Sequence, residues 1–138
     1  MSMFGVLGIS AAGLDVQQAR LEVAASNLAN ANTTRTADGG LYEPMSVVVG
    51  SAPTDLANGA VQRPTVQEVV PTGAQPRMVY EPGHPDADER GYVKMPGVDS
   101  LSTMMDLMSI SRSYEANLRV FDITRTLLQK TLEVGIRR

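Results

Sequence analysis

The feature that most constrains this chain is an uninterrupted stretch at its C-terminal end. From Asp99 to Val134 there is neither Gly nor Pro, and Pro96-Gly97-Val98-Asp99 punctuates its start. Asp99 is an N-cap type, whose carboxylate accepts from the free N–H groups of a first helical turn. Gly135 is the expected stop, because glycine takes the left-handed conformation that ends helices. Asp106 near the start, with Lys130, Arg137 and Arg138 near the end, follows the charge order that suits a helix dipole. A helix over Ser100–Val134 would span about 50 Å, against roughly 11–12 residues for an ordinary globular helix. Met104, Met108, Ser111, Tyr114, Leu118, Phe121, Arg125, Leu128 and Leu132 recur along it at steps of three and four. That spacing keeps them on one side. Leu107, Ile110, Ile123, Leu127 and Val134 widen the apolar surface, so the helix needs more than one neighbour.

A second amphipathic segment occupies the N-terminus. Leu7, Leu14, Leu21 and Leu28 repeat every seven residues, and the pattern predicts a helix from Val6 to Asn30. Gly5, Gly8 and Gly13 weaken its first turns by roughly 1 kcal/mol each relative to Ala, so these turns are expected to fray in a free monomer. Small residues and few outer charges (Asp15, Arg20, Glu22) suit close packing from several directions. The segment closes in Asn27, Asn30 and Asn32. Asparagine bonds readily to nearby main chain, and three of them exceed what one cap requires, so some should bond to another segment.

Between the helices the composition changes. Seven of the eight Pro lie between Pro44 and Pro85. Strands are expected at Met45–Val49, Val61–Arg63, Val66–Val70 and Arg77–Tyr80, bounded by turns at Asn58-Gly59, Pro71-Thr72-Gly73 and Pro82-Gly83. Pro44, Pro64, Pro71 and Pro76 belong at strand ends or edges, because they cannot donate to a ladder. Asp38–Gly40 and Ala52–Gly59 read as loops. So small a β region has too few apolar residues to stand alone and should lean on the helices. The segments divide as 1–34, 35–98 and 99–138. The fold class is mainly α with a small β-containing middle, its long terminal helices pairing as a coiled-coil-like hairpin.

Catalytic chemistry is poorly represented. There is no Cys and a single His, which removes thiolate nucleophiles and paired-His zinc centres. No phosphate-binding glycine loop or nucleophile elbow occurs. His84, Asp86, Asp88 and Glu89 are oxygen and nitrogen donors close in sequence and invite a divalent-cation reading. The better reading is a rigid Pro82-Gly83-His84-Pro85 bend carrying solvated acids, since metal sites usually draw ligands from separate elements. No metal or cofactor is therefore expected. With 12 basic and 15 acidic residues the chain lacks the basic excess of a nucleic-acid binder. Residues 1–14 are uncharged but follow no basic region, so no cleaved signal peptide is expected, and they are too short to span a bilayer.

The run Ser26-Asn27-Leu28-Ala29-Asn30-Ala31-Asn32-Thr33, closing an N-terminal amphipathic helix, resembles the axial proteins of the bacterial flagellum, its rod and hook subunits. Glu81-Pro82-Gly83-His84-Pro85-Asp86-Ala87-Asp88, then Gly91-Tyr92-Val93 and Pro96-Gly97-Val98-Asp99, narrows the likeness to a short subunit of the proximal rod. Ser113-Tyr114-Glu115-Ala116-Asn117 also fits. The resemblance implies a structural protein, exported uncleaved through the flagellar type III apparatus and assembled in the periplasm into a torque-transmitting shaft. Its implied partners are copies of itself, other proximal and distal rod proteins and the export-gate adaptor. Leu7, Leu14, Leu21 and Leu28 would form one seam, facing Tyr114, Leu118, Phe121 and Leu128, with Met104 and Met108 also at the subunit interface. Asn27, Asn30 and Asn32 would set register, and Tyr92 and Val98 would lie in a loop touching neighbours. The alternative is a self-contained helical-hairpin adaptor whose two ends pair only with each other.

Overall fold

A computed structural model describes the chain over residues 3–53 and 62–136. Helix α1 spans Met3–Ala29 and helix α2 spans Ser100–Ile136. Between them run β1 (Met45–Pro53), β2 (Gln62–Pro71), β3 (Arg77–Tyr80) and β4 (Tyr92–Met95). The strands form two separate antiparallel pairs, β1 with β2 and β3 with β4. Val61, the Asn58-Gly59 turn and most of the Ala52–Gly59 loop lie outside the described residues.

Both helices exceed the expected lengths slightly. Helix α2 starts where Asp99 caps it: Leu101 N–H donates to Asp99 Oδ1 at 3.2 Å and Thr103 N–H to the Asp99 carbonyl at 2.9 Å. The expected stop fails, because α2 runs through Gly135 to Ile136. A lone glycine weakens a helix by about 1 kcal/mol but does not end it unless the following chain turns away. The expected charge order also falls short. The first turn holds no acid and the last no base, and Asp106 lies beyond the turn in which the dipole acts.

Val61–Arg63 and Val66–Val70, expected as separate runs, belong to the single strand β2 as far as they are described. Pro64 sits inside it opposite Ser51. A two-stranded ribbon leaves one side of each strand free, and a residue without N–H is tolerated there. The ribbon carries a bulge: Val48 pairs with Glu68 but Val49 with Val66, leaving Gln67 without a partner. The Gln67 side chain folds over Gly50, in the space a Cβ would need. Tyr92–Met95, where the sequence suggests a loop, is a strand, because Arg77–Tyr80 lies alongside it in register, Tyr80 opposite Tyr92.

Helix α1 is the middle layer. It packs against α2 on one side and against β1 and β2 on another. Deep burial, however, lies mainly beyond its end, at Ala31 and Pro44 on one segment and at Val93, Met95, Pro96 and Val98 on another. Strand β4 alternates exposed Tyr92 and Lys94 with buried Val93 and Met95, the period-two signature of a strand with one covered face. Gly97 is crossed so closely by the 74–75 backbone that a Cβ there would stand 2.5 Å from the Gln75 carbonyl oxygen.

Gly91 turns the chain into β4 with φ +80°, and a Cβ there would lie 2.9 Å from the Tyr80 ring. Gly91→Ala is therefore expected to lose about 1–2 kcal/mol from the left-handed backbone alone. The urea midpoint should fall with an unchanged slope, whereas a midpoint equal to wild type would show that the turn relaxes freely.

Candidate assembly surface

The asparagines at the end of α1 are internal joints. Asn27 presents both ends of its carboxamide to one residue: Nδ2 donates to the Met45 carbonyl at 2.8 Å, and Oδ1 accepts the Met45 N–H at 2.9 Å. Tyr42 Oη also donates to Asn27 Oδ1 at 2.9 Å. The side chain thus continues the ladder of β1 onto the helix. Asn30 closes the helix locally, donating to the Ser26 carbonyl at 2.9 Å and accepting from Thr33 Oγ1 at 3.1 Å. Asn32 accepts from Arg77 Nη2 at 3.2 Å, tying the chain after α1 to β3. The expectation that some of these amides bond to another segment therefore holds for Asn27 and Asn32.

The acidic run folds onto the same junction. Asp86 accepts from Thr34 Oγ1 at 2.8 Å and pairs with Arg35 Nη2 at 2.6 Å. The Thr34 hydroxyl, opposed by partial desolvation and aided by the Arg35 charge, holds the Asp86 carboxyl below its ordinary range. Asp88 Oδ1 accepts the backbone N–H groups of Arg90 and Tyr92. The carboxylates are thus occupied in shaping the loop. Among the described residues no group of three His, Asp or Glu converges as metal ligands.

The contact between helices mixes small and polar side chains with larger apolar ones. Asn117 lies against Gly13, where an added Cβ would still be at an ordinary 3.6 Å. Further along, Ala24 and Asn27 share a hollow with Thr103 and Ile110, so the helices run antiparallel. On α2 the less exposed residues are Thr103, Leu107, Ile110, Tyr114, Asn117, Phe121, Thr124 and Leu128, alternating steps of four and three. Tyr114, Phe121 and Leu128 thus fall on the covered row. Met104, Met108 and Leu118 do not: each follows a covered residue and is exposed. One residue is about 100° around a helix, so the row chosen for its apolar content lies beside the row that faces α1. On α1, Leu7, Leu14 and Leu28 are half-buried and Leu21 is exposed.

Two further expected contact residues separate clearly. Val98 is 4% exposed and belongs to the chain's own core, so its expected place in a neighbour-touching loop is corrected. Tyr92 is exposed and meets Tyr80 edge-on, ring centroids 5.3 Å apart. Tyr80 was not among the expected contacts. The alternation of Tyr92-Val93-Lys94-Met95 was the signal that could have found the pair, once read as a strand. Ile123, Leu127 and Val134, which the sequence reads as widening the apolar surface of α2, are exposed on its outward side, and Leu101, Met105 and Val120, which it does not single out, are exposed with them. So large an apolar row on solvent marks a contact surface.

The family described as "Flagella basal body rod protein" matches residues 7–35, and "Flagellar basal body rod FlgEFG protein C-terminal" matches residues 89–134. The flagellar basal-body rod protein FlgC of Escherichia coli O6:H1 is 43% identical over 137 residues, covering 98% of this chain and 99% of that protein. FlgC of Bacillus subtilis is 35% identical, with 98% and 99% covered. FlgC of Borreliella burgdorferi is 30% identical, with 97% and 98% covered. Both matched segments contain the long helices, and both extend into the junction that joins them.

The Asp86 tether has a defined pH dependence. Its folded pKa lies below the unfolded value of about 3.9, so its stabilisation is present above that value and is lost as pH falls through the folded pKa. Urea midpoints of wild type and Asp86→Asn should differ at pH 7 and converge at the acid end. A difference that persists unchanged at the lowest pH would mean the carboxylate charge is not what holds the loop.

Proposed function

This chain belongs to the flagellar basal-body rod protein family, and from that membership we propose that it polymerises through its terminal helices into the drive shaft of the proximal rod. It is a structural subunit of the flagellar basal body and not an enzyme. The observation that carries the mode of assembly is the outward side of α2, which leaves Leu101 and Val134 each 70% exposed, with Val120, Ile123 and Leu127 between them. A self-contained adaptor would turn that row inward. Here α1 covers the row from Thr103 to Leu128, and a second apolar row is left for neighbours.

In this reading α1 and α2 form a coiled-coil-like pair, and Leu21, Met104, Met108, Leu118 and Tyr92 contact adjacent subunits. Leu7, Leu14 and Leu28 on α1, and Tyr114, Phe121 and Leu128 on α2, support the pair from within. Asn27, Asn30 and Asn32 set register by fixing the middle region against the helices. A contact between unlike surfaces that does not close on itself generates a helical filament instead of a ring. Neighbours would be copies of this chain, other proximal and distal rod proteins and the export-gate adaptor. The subunit would reach them uncleaved through the flagellar type III apparatus and assemble in the periplasm. Among the described residues no helix is long and apolar enough to cross a membrane.

Premature polymerisation is avoided, in this reading, by leaving the glycine-bearing start of α1 unsettled until a growing end templates it, so its ordering entropy is lost only on binding. Hydrogen exchange of dilute monomer should then show little protection over Val6–Gly13. Protection there equal to that of Val93–Val98 would remove this mechanism.

Leu21 and Leu118 are exposed, so an Asp at either position is compatible with the folded monomer. Leu21→Asp and Leu118→Asp should each abolish swimming while circular dichroism and thermal midpoint of the monomer stay near wild type. Normal swimming in either variant would place the subunit contacts elsewhere.

A further inference from the structure

The outward side of α2 has two chemistries. Its C-terminal half is aliphatic, with Val120, Ile123, Leu127 and Val134 exposed. Its N-terminal half is built from thioethers: Met104, Met105 and Met108 are 48%, 60% and 55% exposed, one turn beyond Leu101. Met104 and Met108 are four apart and Met105 and Met108 three apart, so all three are surface neighbours on one helix. The two kinds of side chain offer similar apolar area, but only the thioether is altered by mild oxidants. Met95, 7% exposed in β4, supplies an internal reference within the same molecule.

We propose that Met104, Met105 and Met108 form an oxidation site that closes this part of the assembly surface. The inference rests on the reading of α2's outward side as a subunit contact. The co-reactant is a peroxide. A sulfur lone pair attacks one peroxide oxygen, an S–O bond forms and the O–O bond breaks. The departing hydroxide takes up the remaining proton and leaves as water. The sulfur loses two electrons and the peroxide gains them. Each product sulfoxide is polar and chiral where an apolar, adaptable side chain stood. Burying it against a neighbour without a hydrogen-bond partner is unfavourable, and three lie within little more than one helical turn. Once a neighbour covers the patch the sulfurs are shielded, so the site acts on the subunit before docking. Sulfoxide reductases reverse the change, which makes the block a reversible one.

The test uses the purified full chain and limiting hydrogen peroxide, read by peptide mass spectrometry and by sedimentation velocity at matched concentrations. Met104, Met105 and Met108 should oxidise at least about tenfold faster than Met95. Self-association of the treated chain should weaken by about tenfold or more, and sulfoxide reductase should restore it. Met78 is also exposed, so Met78→Leu must retain the peroxide sensitivity. In a chain carrying Met104→Leu, Met105→Leu and Met108→Leu, the ratio of treated to untreated association should stay near one. The proposal is overturned if Met95 oxidises as fast as the three, or if fully oxidised wild type associates as the untreated chain does. An untreated wild type that never associates overturns the docking reading itself, and that control separates the two failures.

Discussion

The molecule depends on one carboxamide. Asn27 near the end of α1 offers a donor and an acceptor to the main chain of Met45, and so acts as an extra rung at the start of β1. Without that rung Met45 would have to find its partners in water, and the ribbon would have no fixed angle to the helix. The hydroxyl of Tyr42 closes on the same oxygen. A few residues further on, Asn32 with Arg77 and Thr34 and Arg35 with Asp86 repeat the device at longer range. Each bond is modest, since a net hydrogen bond contributes about 0.5–1.5 kcal/mol. Together they hold a β region that is too small to stand alone.

This junction explains how two long helices come to be presented in a defined relation. Apart from Val16 in α1, the packed core lies in the segments around Ala31, Pro44 and Val93–Val98, which anchor the capped end of α2 beside the closing end of α1. From there the helices extend with a contact that mixes apolar side chains, Ile110, Tyr114 and Phe121 among them, with close approach of Gly13 to Asn117. None of the α2 residues on this covered row is fully buried. The remaining apolar residues of α2 lie outward, and the hydrophobic effect then favours association with other molecules over further packing within this one. In the assembly proposed above, that division would let a small centre set direction and the helices supply the adhesive.

Much of this was legible in the residues themselves. A stretch without Gly or Pro behind Pro96-Gly97-Val98-Asp99 could only be a long capped helix, and the heptad of leucines gave the other. The excess of asparagines pointed to bonds across segments, and two of the three make them. The bend at Pro82–Pro85 reads from sequence as carrying solvated acids, whereas Asp86 is tethered; its partners Thr34 and Arg35, some fifty residues away in sequence, carry no local signal. The continuous β2 was missed because Pro64 reads as a breaker, and it breaks nothing on the free side of a ribbon. Gly135 failed as a stop because a lone glycine weakens a helix without ending it.

What the sequence by itself determined is periodicity and chemistry: which stretches are helical, where Asp99 starts one, and how much apolar surface the two ends carry. What only the tertiary structure decided is the rotation of α2. Met104, Met108 and Leu118 belong to the expected stripe, yet they lie beside the covered row, which joins Tyr114, Phe121 and Leu128 of that stripe to Thr103, Leu107, Ile110, Asn117 and Thr124. Helical spacing leaves neighbouring rows equivalent. The choice between them is made by the shape and polarity of the face α1 presents, and by the junction that orients both helices, neither of which is written in α2.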